Sequence, residues 1–137
     1  MFCNVGFANN DLTGIKLLCK SKKNNWMKIP FRTYEFLDDF KVLRYSLSSE
    51  KLHITSGVLF YIADLRNVYL YYSKKKYERH WQDGRVIERD TLNLKGARNE
   101  KGEIASCSVV DKDMDLEKKL QIELEIIKSQ ILEKNKI

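Results

Sequence analysis

"GVLFYIADLRNVYLYYSKKKYERHW", residues 57–81, holds two runs rich in β-branched and aromatic residues and then turns abruptly basic. Val58, Phe60 and Ile62 align at every second position of the first run, and Val68, Leu70 and Tyr72 in the second. Such residues suit a pleated, half-buried surface, so the stretch reads as a pair of core strands whose exit carries a basic, aromatic rim.

Text of the same kind extends in both directions. Upstream, "KVLRYSL" (41–47) puts Leu43, Tyr45 and Leu47 on one face and Arg44 and Ser46 on the other, and "KLHIT" (51–55) follows Ser48-Ser49. Ser56-Gly57 reads as a turn between "KLHIT" and "VLFYI". Nearer the start, "FCNVGF" (2–7) and "GIKLLC" (14–19) flank the turn-rich "ANNDLTG", and "WMKIPF" (26–31) alternates Met27, Ile29 and Phe31 against Trp26 and Lys28. Downstream, "RVIERDTLNL" (85–94) and "GEIASCSVV" (102–110) are the last strand candidates, separated by a polar loop.

At Asp111 the chain changes character. Leu116, Leu120, Leu124, Ile127 and Ile131 recur at helical spacing along one narrow stripe. Asp111, Asp113 and Asp115 favour a helix N-terminus, and Lys134 and Lys136 suit the negative end of its dipole, which predicts a helix over about 112–134. Ile122 and Ile126 fall off the stripe. They belong either to a wide buried face or to a second ridge that meets a partner or a second copy of the chain.

Composition bounds the rest. The 137 residues are 43% hydrophobic and 32% charged, a mixture that folds as one compact domain without staples. With one proline and no Gly/Ser-rich linker, residues 1–137 read as a single unit, β-rich over 1–110. The expected class is α+β: a strongly curved, mostly antiparallel sheet or partial barrel closed by the long C-terminal amphipathic helix. The longest uncharged apolar run, "SGVLFYIA", is too short to span a bilayer, and the first residues lack the pattern of a signal peptide. The expectation is therefore a soluble, cytoplasmic protein. Cys3, Cys19 and Cys107 are odd in number and widely spaced, as reduced, buried thiols in a cytosol would be. A metal site assembled from them and a distant histidine is the alternative, and neither a metal nor a cofactor is expected. The net charge of +6 favours an acidic partner without choosing its kind.

"YSLSSEKLHITSG" (45–57) running into "VLFYIADLRNVYL" (58–70) resembles the phrasing of bacterial pleckstrin-homology-like and GRAM-type domains, over residues 42–72 plus the C-terminal helix. Tyr45, Leu47, Leu52, Ile54 and Gly57 match its first phrase, and Leu65 and Val68 its second. The resemblance implies a binding scaffold whose helix lies across one end of a curved sheet, and it assigns no site residue. A rival resemblance is to GIY-YIG nucleases: "GVLFYI" precedes "VYLYYS", Arg79 follows, and Glu123 or Glu125 stands in the late helix. Leu59 replaces the first tyrosine and Tyr71 the glycine that leaves room beside a scissile phosphate, so this resemblance implies a degenerate nuclease, whose divalent-metal-dependent cleavage would be lost on changing Arg79 or Glu123.

No nucleophile elbow, Cys-His signature or phosphate-cradling glycine loop is present. Asp38 and Asp39 read as turn residues, Glu88 and Asp90 as carboxylates sharing a strand face, and His53 as facing away from the apolar side. The expected function is non-catalytic binding of a protein partner, as an inhibitor or regulator from a virus or mobile element. Tyr69, Tyr71, Tyr77, Arg79 and Trp81 are its expected anchors, with Ile122 and Ile126 as a second contact or a homodimer seam. The alternative is RNA or DNA binding by Lys74, Lys75, Lys76, Arg79, Arg85 and Arg89, where cations neutralise phosphates and neighbouring aromatic rings stack on bases.

Overall fold

The computed structural model describes residues 11–22, 28–72, 85–96 and 102–137. Eight strands form a closed barrel in which each pairs antiparallel with the next and the last returns to the first. They are β1 (Lys16–Ser21), β2 (Phe31–Phe36), β3 (Lys41–Ser48), β4 (His53–Ala63), β5 (Asn67–Tyr71), β6 (Arg85–Glu88), β7 (Asn93–Lys95) and β8 (Glu103–Val110), followed by helix α1 (Leu116–Lys134). The expectation of a single α+β unit with a curved antiparallel sheet holds. The partial barrel closed by a helix does not. The sheet closes on itself through six β1–β8 pairs, Lys16↔Val110 to Ser21↔Ala105, and so leaves no free edge among the described strands.

The helix packs on the outside of the wall. Leu120 and Leu124 bury against Leu47 of β3, with Leu18, Phe31, Tyr45, Ile54 and Ile127 around them. A second core fills the barrel, where Leu17, Phe36, Val42, Leu59, Tyr61, Val68, Leu70, Ile87 and Leu94 meet. Eight strands enclose a bore that side chains can just fill, which is why these inward positions pack against one another. Tyr61 anchors one end: its ring stands edge-on to Phe36 at 5.0 Å, and its hydroxyl accepts the Leu12 N–H at 3.0 Å.

Several local expectations are corrected. "KLHIT" and "VLFYI" are one continuous strand, because Ser56 and Gly57 pair with Tyr45 and Arg44 of β3 instead of turning. The aligned set Val58, Phe60 and Ile62 faces outward. Its alternates Leu59, Tyr61 and Ala63 are the buried ones. "WMKIPF" yields no strand over Lys28–Pro30, and β2 begins at Phe31. "RVIERDTLNL" is broken after Glu88 by a turn in which the Leu92 N–H donates to the Glu88 carbonyl at 2.8 Å and Leu92 adopts φ 60°. Asp38 and Asp39 do lie in a turn, where Asp39 and Phe40 take φ of 61° and 54°. The helix starts at Leu116 and not at 112, because Asp115 is its N-cap and accepts the Lys118 N–H at 3.1 Å, while Asp111–Met114 forms a preceding turn.

Cys19 and Cys107 sit directly opposite each other on β1 and β8 and form a disulfide, with Cα atoms 3.9 Å apart. This corrects the reading of these two cysteines as free thiols and removes them as thiolate ligands for a metal. The bond spans 88 residues of sequence, and only closure of the barrel brings its ends together.

Candidate functional site

Two regions of the barrel are candidates, and they follow from the alternation of β3, β4 and β5. On the outer wall, Leu43 of β3 pairs with Val58 of β4, and Ile62 of β4 pairs with Tyr69 of β5. With Phe60 between them these residues make an apolar band on the face that a solvated barrel covers with polar groups. Val58 is 49% exposed and Ile62 39%. Helix α1 covers the part of this wall around Tyr45, Leu47 and Ile54, and the band continues beyond it.

The inward positions of the same strands differ in chemistry. Arg32 of β2 is buried, Arg44 of β3 alternates with Val42 and Ser46, and Arg85 opens β6. Tyr34, fully buried, lies among them. Burial pushes its hydroxyl pKa up, and the charges of Arg32, Arg85 and Arg44 pull against that rise. The barrel interior is thus apolar toward Tyr61 and cationic toward the other end.

The expected anchors divide. Tyr69 is half-buried on the outer wall, its hydroxyl donating to Asp64 Oδ2 at 3.3 Å. Tyr71 is buried. Tyr77, Arg79 and Trp81 lie outside the described residues, as do Lys74, Lys75 and Lys76. Of the basic set, Arg85 donates to the Tyr72 hydroxyl, and Arg89 donates to the Asp64 carbonyl at 2.6 Å. They stand at opposite ends of β6, so they do not form one continuous face. Ile122 and Ile126 are 51% and 46% exposed on the outward side of α1.

Other carboxylates are held locally. Glu88 pairs with Lys95 at 3.2 Å, whereas Asp90 lies past the end of β6 and accepts the Thr91 N–H at 2.8 Å. The shared strand face expected of Glu88 and Asp90 does not exist, because the strand stops between them. Glu123 pairs with Lys119 and Glu125 with Lys128 along α1. Among the described residues no group of three His, Cys, Asp or Glu side chains is placed to hold a metal ion. No helix among them is long and apolar enough to cross a membrane.

Asp64 organises the β4–β5 turn. Its Oδ1 accepts the N–H groups of Arg66 at 2.8 Å and Asn67 at 2.7 Å, and these bonds hold its carboxyl below the usual range. Beneath that end of the barrel, Leu12, Leu17, Phe36, Val68 and Ile87 line a mostly apolar recess of about 180 Å³ that Arg89 also borders.

The class the geometry defines is a closed, eight-stranded antiparallel barrel with a helix on its outer wall. Compared with protein-family models, with curated proteins and with solved structures, the chain matches none of them.

The sequence concealed both regions for the same reason. Val58–Ala63 is apolar at every position, so alternation cannot say which set is inside. Arg44 and Ser46 share the polar face of "KVLRYSL", which ordinarily means solvent.

Proposed function

We propose that the protein is a non-catalytic binding module that engages a protein partner through the outer wall of β3–β5. The carrying observation is the exposure of Val58 and Ile62 beside Leu43, Phe60 and Tyr69 on the outer wall, where β3, β4 and β5 pair. Contiguous apolar surface of this kind, rich in aromatic and aliphatic side chains, is characteristic of interface centres. The likeness of residues 42–72 to pleckstrin-homology-like scaffolds supports the same role, and a regulator or inhibitor is the form it takes. A second contact at Ile122 and Ile126 would extend the interface onto α1.

The disulfide bears on where this happens. Such bonds persist in oxidising surroundings and are rare in the cytosol, so a cytoplasmic setting requires Cys19 and Cys107 to be reduced there. Counting free thiols in protein alkylated at the moment of cell lysis decides between the two.

A photo-crosslinking residue placed at Ile62 tests the proposal in cells. One discrete protein adduct is expected, lost when Val58 is changed to Asp and retained when Lys20 on β1 is changed to Glu. Adduct formation indifferent to Val58→Asp would overturn it. Binding of labelled oligonucleotides at physiological salt, weakening steeply as salt rises, would instead favour the nucleic-acid reading.

A further inference from the structure

We infer that the cationic end of the barrel interior is a phosphate-binding site, built by Arg32, Arg44 and Arg85 with Tyr34, Ser46 and Tyr72. It is separate from the outer wall and does not depend on the protein-binding proposal.

The register places these groups together. Reading around the barrel on the inward face, Arg32 pairs with Cys19 on one side and Ser46 on the other, and Tyr34 pairs with Arg44, which pairs in turn with Gly57. Arg85 enters from β6 and donates to the Tyr72 hydroxyl at the rim. No carboxylate occupies an inward neighbour of Arg44, whose flanking positions are Tyr34, Gly57, Val42 and Ser46. Its Nε is buried and has no hydrogen-bond partner. A buried guanidinium donor left without an acceptor is costly, and an incoming oxyanion would relieve that cost.

Gly57 is part of the arrangement. A Cβ at that position would stand 3.2 Å from Arg44 Nη2, so the missing side chain makes room for the guanidinium beside β4. Its φ is ordinary, and close approach alone accounts for a glycine there.

The chemistry selects the ligand. Guanidinium forks match the oxygens of phosphate and carboxylate, and three guanidiniums whose charges all reach Tyr34 favour a dianion over a monoanion. The Tyr34, Tyr72 and Arg85 side chains enclose a space of about 10 Å³, lined also by Leu59, Leu70 and Tyr71. That is room for a single water or one ligand oxygen. Arg85 is the guanidinium that lines this space, so the phosphate presents an oxygen to it past the half-exposed Tyr72, and Arg32 and Arg44 act on the ligand through their charge. Inorganic phosphate and a small phosphomonoester share this chemistry.

The test is a titration of the full chain followed through its arginine Nε–Hε resonances, with sodium phosphate, glycerol phosphate and sodium chloride at matched ionic strength. A saturable shift of the Arg44 and Arg85 signals is expected with phosphate but not chloride, with a midpoint at or below about 1 mM. Arg44→Met should abolish it. Gly57→Ala, whose Cβ would stand 3.2 Å from Arg44 Nη2 and make the guanidinium give way without removing any charge, should weaken it about twofold or more and serves if Arg44→Met does not fold. Tighter binding of glycerol phosphate identifies an esterified ligand, and equal or weaker binding identifies the free anion. The same response to chloride, a shift that does not saturate, or undiminished binding by a folded Gly57→Ala variant would overturn the site.

Discussion

Reducing the Cys19–Cys107 disulfide should lower the stability of the barrel sharply while leaving it folded at room temperature. The bond joins the first and last strands across 88 residues of sequence. Cross-linking a loop of that length removes enough freedom from the unfolded chain to be worth about 4.6 kcal/mol in the chain-entropy description, and native disulfides of small domains commonly contribute about 2–5 kcal/mol. For a domain of 137 residues, each kcal/mol moves the melting temperature by about 3–5 °C, so the reduced protein should melt about 10–20 °C below the oxidised one. Reduction is the cleaner perturbation because it leaves both side chains in place. Cys19 and Cys107 are buried, and replacing them would add a packing defect of its own. The six β1–β8 backbone pairs persist without the covalent bond, so far-UV circular dichroism at 20 °C should be unchanged. The assay is a pair of thermal melts, oxidised and reduced, with intact mass after alkylation to count thiols. Melting temperatures within about 3 °C of each other, on samples whose alkylation differs by two thiols, would refute the reasoning. A chain that carries both thiols free without added reductant would refute the bond itself.

Three further outcomes are expected. Leu120→Ala removes the fully buried side chain that seats α1 on Leu47, and should cost about 2–5 kcal/mol in denaturant unfolding, whereas Ile122→Ala on the outward face should change stability by less than about 0.5 kcal/mol. Tyr61→Phe keeps the edge-on contact with Phe36 but leaves the buried Leu12 N–H without its acceptor; a loss of about 1–3 kcal/mol and faster amide exchange at Leu12 should follow. Asp64 has a folded pKa below its unfolded value, so its stabilisation is present above the usual carboxylate range, near pH 4, and is lost as pH falls through the folded value. Asp64→Ala should therefore be less stable than the native chain at pH 7, with the gap narrowing below about pH 4. A gap that stays constant down to pH 2 would show that the carboxylate does not hold the turn.

The amphipathic stripe of α1, the run of short strands and the single-domain length were all legible in the residues. A period of 3.6 or of 2 is a property of neighbouring side chains, and the text records it directly. Leu116, Leu120 and Leu124 are buried as their spacing requires, although Ile131, on the same stripe, is exposed beyond the edge of the wall. β2 was hidden because "FRTYEF" sends Arg32, Tyr34 and Phe36 inward and Phe31, Thr33 and Glu35 outward, so neither face is purely apolar.

What only the tertiary structure decided is which side of each strand is inside. In β3 the apolar set Leu43, Tyr45 and Leu47 faces out, where Tyr45 and Leu47 meet α1, and the polar Arg44 and Ser46 face the bore. Alternation distinguishes two faces but does not orient them, and a barrel wall covered by a helix inverts the usual reading. Closure likewise brought together residues that no local pattern connects: Cys19 with Cys107 at the seam, and Arg32, Arg44 and Arg85 around Tyr34. Local order was written in the sequence because it depends on adjacent residues. The seam, the cationic bore and the exposed wall were not, because each depends on strands far apart in the chain meeting in one particular register.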